Sequence, residues 1–163
     1  MSIMKTVITE NIISDGFPME SDWQAKFKIV LTDSEFQNIV SEVQFGGRFT
    51  AEGQRYFYGY DREMQPNDWV LRVNFSHFDF ELNVDYKVGS GGFSALLIQG
   101  GNDMVSGGFI VGGTVRFIEM NPVEGKIHGQ FTNVWTEGGR PDGSDMDPAY
   151  ARVISFASNG KRV

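Results

Sequence analysis

Residues 107–135 read GGFIVGGTVRFIEMNPVEGKIHGQFTNVW, and this stretch decides the fold class. Thr114 to Met120 alternates as a strand, Asn121 to Gly125 carries turn residues, and Lys126 to Trp135 alternates again. Side chains alternate along a strand, so Ile127, Phe131 and Trp135 are expected on one face with Gly129 between them. His128, Gln130 and Thr132 are expected on the other. Val115 and Phe117 of the outgoing strand can meet the apolar face, which is therefore assigned to the core. Pro122 presets φ, and Gly125 can take the positive φ that closes such a hairpin.

Working outward, the same pattern recurs. Trp23, Ala25, Phe27, Ile29 and Leu31 share one face of a half-buried strand, preceded by an edge-like strand at 5–14. QRYFYGY (54–60) places Tyr56, Tyr58 and Tyr60 together, and Trp69, Leu71, Val73 and Phe75 alternate in the next strand. After His77 the apolar phase flips to Phe78, Phe80, Leu82, Val84 and Tyr86, so a break is expected at Ser76–His77. FSALLIQ (93–99) is a nearly continuous apolar strand. A strand at 105–111 precedes the hairpin, and 152–157 is a last strand before a basic tail, SNGKRV. Residues 33–42 are ambiguous. Phe36, Ile39, Val40 and Val43 have helical spacing, and Thr32 with Glu35, or Ser34 with Gln37, offers a capping box. Ile39, Val43, Phe45 and Phe49 also share a face of a strand. The helical reading is preferred, as a short helix near 33–42 that plugs one end of the sheet structure.

Short strands at close spacing predict a single all-β domain over 1–163, an antiparallel sandwich or barrel of about nine or ten strands. A chain of 163 residues suits one such domain. The 20 glycines and 14 phenylalanines fit tight turns and a ring-filled core. There is no cysteine, which removes disulfides, thiolate nucleophiles and cysteine-held metals. A net charge of −7 argues against nucleic acid as the partner and against an anionic membrane surface. No apolar run approaches the roughly 18 residues of a membrane helix. MSIMKTVITENIISDG lacks the apolar segment of a secretory signal, leaving the cytoplasm as the default expectation.

Four sets of residues invite a chemical reading, and each has a plainer one. Asp142, Ser144, Asp145 and Asp147 cluster oxygen ligands on a Gly-containing loop, as a hard cation such as Ca²⁺ requires. The same residues compose any exposed loop, the spacing is not that of an EF-hand, and Asp147 before Pro148 also suits a helical N-cap. No other cofactor is expected. His77, Asp79, Glu81, Asn83 and Asp85 would line one strand face. A His with carboxylates can do acid–base chemistry, although a solvated outer face explains the alternation too. His77 and His128 are the only histidines, without ligand spacing. Tyr56, Tyr58, Tyr60, Trp69 and Trp135 can form an aromatic platform for a sugar or an apolar ligand, or simply pack across strands.

No phosphate loop, nucleophile elbow or other catalytic motif is legible. The reading that follows is a non-enzymatic recognition protein, binding a protein or small-molecule partner through an exposed sheet face or loop end. Two alternatives stand beside it: a lipocalin-like barrel carrying a small apolar ligand, and an enzyme using His77 and its carboxylates inside a barrel. Edge strands in a sandwich make self-association a further expectation. The polar connection 137–150 is the first place to look for function.

Overall fold

The structure, a computed structural model, describes residues 22–60, 68–99, 106–138 and 147–163. Among these, nine strands form: β1 (Asp22–Thr32), β2 (Ile39–Thr50), β3 (Tyr56–Tyr60), β4 (Trp69–Phe75), β5 (Asp85–Lys87), β6 (Phe93–Gln99), β7 (Ser106–Asn121), β8 (Lys126–Thr136) and β9 (Tyr150–Arg162). All pair antiparallel. Neighbours follow β1–β2–β3–β4–β6–β7–β8–β9, and β9 returns to β1, so eight strands close into a barrel. The short β5 adds to the edge of β7 beyond β6. Closure removes the edge strands that a sandwich would expose. The expected strand at 5–14 lies outside the described residues.

Alternation sets inside from outside. In β1, Ala25, Phe27 and Ile29 are buried, while Gln24, Lys26 and Lys28 are exposed. An eight-stranded barrel is just wide enough for side chains to fill, and here aromatic rings fill it. Phe49 stacks on Phe57 with centroids 4.6 Å apart, and Phe57 meets Phe156 edge-on at 4.9 Å. Glycines make the room. A Cβ at Gly59 would lie 2.3 Å from the Phe27 ring, and one at Gly129 would lie 2.3 Å from the Phe156 ring.

The hairpin forms as expected at its turn. Gly125 has φ 69°, and its N–H donates to the Pro122 carbonyl at 3.2 Å. Ile127, Phe131, Val115 and Phe117 are buried in the core. Trp135 is not: it is 40% exposed, while Val134 is 1% exposed. The cause is a bulge. Asn133 takes φ 49°, the register slips against Gly112–Thr114, and the face of every later residue on the strand reverses. The two expected strands on either side of Gly112–Gly113 are one strand, β7, over Ser106–Asn121, with its register slipping there. The supposed basic tail likewise belongs to a strand, since β9 runs to Arg162.

There is no helix at 33–42. The carboxylate of Asp33 accepts hydrogen bonds from the backbone N–H groups of Glu35, Gln37 and Asn38, at 3.1, 3.0 and 3.2 Å. An Asp that bonds its own following backbone competes with the helix ladder, and β2 starts at Ile39 instead. Phe36 sits at φ 58°. Arg152 holds this turn down by donating to the carbonyls of Phe36 and Gln37, the latter at 2.7 Å. The strand expected over 77–86 is also replaced. β4 stops at Phe75, at the anticipated break, and residues 76–84 form a loop tied by Ser76 N–H to Gly92 O and Asn83 N–H to Phe117 O. Phe78 and Phe80 of this loop pack on Phe75 and Phe117 and cover one end of the barrel. The plug is therefore this loop, at the end opposite the 33–38 turn. Asp147–Pro148 begins no helix either: Asp147 forms an isolated bridge with Ser106.

Two measurements check this account. Gly129→Ala is expected to destabilise by about 1–3 kcal/mol in urea denaturation, the usual cost of overpacking, and Phe156→Leu is expected to recover part of that loss. The hydrogen bonds to Asp33, led by that from the Gln37 amide and outweighing a smaller opposing effect of desolvation, hold its carboxyl below the ordinary 3.8. A lowered carboxyl keeps its contribution above the usual range and loses it only as pH falls through the depressed value. The Gln37 amide resonance should accordingly titrate with a midpoint below 3.8, and a midpoint at or above that value would contradict the turn geometry.

Candidate functional site

The segment YFYGY makes the clearest surface on the barrel. Phe57 and Gly59 point inward, so Tyr56, Tyr58 and Tyr60 point outward from β3. Register then supplies their neighbours. Tyr58 pairs with Arg48 on β2 and with Arg72 on β4, and Tyr56 pairs with Thr50 and Asn74. Cross-strand partners sit close enough for their side chains to interact, so Tyr58 stands between two arginine positions in the sheet. The Tyr58 and Tyr60 rings are 5.9 Å apart at 56°. With Gly46, Gly47, Arg48 and Val163 the three tyrosines line an open groove of about 520 Å³.

The two arginines differ. Arg48 Nη1 lies 3.3 Å from a carboxylate oxygen of Asp22, a side chain that is itself buried and also accepts from the Thr50 hydroxyl. Arg72 is held by neutral groups. Its Nε donates to Asn74 Oδ1 at 2.9 Å, its Nη2 donates to Gln54 Oε1 at 3.1 Å, and its guanidinium lies 4.5 Å from the centre of the Tyr56 ring. Two amides and the Tyr56 ring position its charge, and among the described residues no carboxylate pairs with it.

The five aromatic residues singled out from sequence are thus divided. Tyr56, Tyr58 and Tyr60 come together. Trp69 points inward, 6% exposed, at the barrel end where Leu31, Thr32, Val43, Gln99 and Ala149 form a mouth of about 290 Å³. Trp135 lies on the outer surface elsewhere, in the space a Cβ at Gly112 would need, with Phe36 at 6.4 Å. Of the acidic loop, Asp142, Ser144 and Asp145 lie outside the described residues. Asp147 is exposed, and its carbonyl accepts from Gly107 N–H at 2.8 Å. Among the described residues no group of three or more His, Asp or Glu is placed to hold a metal ion.

The proposed polar face of His77 is dispersed by the loop. His77 Nδ1 accepts from the Asp79 backbone N–H at 3.0 Å, and its ring stacks on Phe80 at 4.8 Å, so it serves the plug. Asp85 pairs with Arg116 at 2.8 Å, and Asn83 and Asp85 line a separate outer groove beside β7 and β8. His128 meets Ser155 at 3.3 Å on the outside of β8 and β9, away from that loop.

Arg48 and Arg72 were missed by the sequence reading. The alternation in WVLRVNF does put Arg72 outward, but only strand pairing places it beside Tyr58. Comparison with protein-family models, with curated proteins and with solved structures finds no match.

Proposed function

We propose that this barrel is a recognition protein that takes its ligand on the outer face of β2, β3 and β4, with Tyr56, Tyr58 and Tyr60 as the contact surface. One observation carries the reading. Three tyrosines, whose hydroxyls have no hydrogen-bond partner among the described residues, stand on a closed sheet beside a guanidinium that has no carboxylate partner there. Tyr combines an apolar face with a polar tip, and a closed sheet holds such groups with little entropy left to lose on binding. The packed interior supports an outer surface over an internal cavity: Phe49, Phe57, Phe117, Phe131 and Phe156 are all fully buried along the barrel.

A carrier role is supported only in a reduced form, at the mouth lined by Trp69, whose walls are apolar with Thr32, Ser41 and Gln99 among them. At about 290 Å³ it falls at the small end of ligand pockets.

Screening the wild-type protein on saccharide and peptide arrays tests the proposal. Ligands retained by the wild type should be lost in Tyr58→Ala and kept in Trp135→Ala. The thermal stability of Tyr58→Ala should move little, since surface substitutions usually stay within about 0.5 kcal/mol. Retention of the same ligands by Tyr58→Ala, with loss in a Trp69 variant, would transfer the function to the barrel mouth.

A further inference from the structure

Resting on the reading that the tyrosine face is the binding surface, we infer that its occupant is an acidic oligosaccharide, a chain of sugar rings bearing carboxylates. Three features of the face converge on that chemistry. The first is ring stacking. Tyr56, Tyr58 and Tyr60 offer apolar ring surface together with hydroxyls that can bond to sugar hydroxyls.

The second is placed positive charge on an acidic protein. The chain carries −7 overall, yet Arg48 and Arg72 flank Tyr58, and Lys26 lies one strand beyond, opposite the Gly46 of the groove. Asp22, one carboxylate at this cluster, is buried against Arg48. Two strand spacings separate the partners of Tyr58, so the two arginine positions are roughly 10 Å apart along the sheet. The Arg48 guanidinium is taken up by Asp22, whereas that of Arg72 lies over the neighbouring Tyr56 ring, so a sugar on this face meets one cation without a described carboxylate partner. Arg72 is the better placed of the two. Asn74 and Gln54 fix its Nε and Nη2, leaving Nη1 without a partner among the described residues. A guanidinium orients a carboxylate through directed N–H groups, and a charge-assisted bond of this kind is stronger than a neutral one.

The third is the abundance of neutral hydrogen-bonding groups around the rings. Gln24 pairs with Arg48, Asn74 pairs with Tyr56, and Gln54 bonds Arg72. Amides suit a polyhydroxylated ligand. A phosphate polymer draws its affinity from many Lys and Arg contacts, and this face offers few of them on a chain whose net charge repels it.

The test is calorimetric titration of the full chain with the trisaccharide of α-1,4-linked galacturonic acid, in parallel with maltotriose, a triglutamate peptide and a short oligothymidylate. The acidic trisaccharide is expected to bind in preference to the other three, and added sodium chloride should weaken it. Arg72→Gln should cost about tenfold in its affinity, the usual size of one charged hydrogen bond, while Arg72→Lys recovers part. Tyr58→Ala should abolish binding. Equal affinity for maltotriose and no effect of Arg72→Gln would overturn the acidic class while leaving the face in place. Binding of the peptide or oligothymidylate ahead of both saccharides, lost in Tyr58→Ala, would overturn the saccharide. Trisaccharide binding indifferent to both Tyr58→Ala and Arg72→Gln would overturn the surface itself.

Discussion

The fold depends on rings meeting glycines inside a closed barrel. Phe27 occupies the space that Cβ atoms at Gly47 and Gly59 would need, and Phe156 does the same at Gly129. Eight strands leave an interior that side chains must fill without voids or overlap. Rings pack on rings through that interior, as Phe49 on Phe57 and Phe57 on Phe156, and glycines on neighbouring strands leave the room they need. Trp23 finds the same room at the barrel's rim, over Gly125. The indole also takes the Arg162 guanidinium at 4.1 Å, which ties the last strand to the first beside the closing β1–β9 pair.

Closure makes demands on backbone geometry that pairing alone does not. β7 pairs with β6 along its first residues, with β5 further on and with β8 through most of its length. β6 and β5 take successive stretches of β7, and the register with β8 slips around Gly112–Gly113, where Gly113 has φ 99°. The partner strand answers with Asn133 in the left-handed region. Bulges of this kind concentrate where a sheet must curl. Here the bulge turns Val134 into the core and Trp135 onto the surface.

The candidate surface inherits its rigidity from the same core. Phe57 and Gly59 pack β3 against the rings within, which fixes the backbone from which the three tyrosines project. Alternation within YFYGY and WVLRVNF made the outward positions of Tyr58 and Arg72 legible in the chain. Their adjacency was not, because it is a property of register between strands. The platform proposed from composition joined residues that share chemistry but not a location: Trp69 went to the barrel mouth and Trp135 to another part of the outer wall.

Local patterning determined most of the strands, the hairpin turn at Gly125 and the break after Phe75, because a period of two and a positive-φ glycine are properties of neighbouring residues. It misread 33–42, where helical spacing coexisted with an Asp able to bond the backbone that follows it. Only the tertiary structure decided between sandwich and barrel, since that choice rests on whether β9 reaches β1. It also set the inward phase of β8 beyond Asn133, and it placed two arginines on either side of Tyr58. Each of these depends on pairing between residues distant in the chain, which no local window contains.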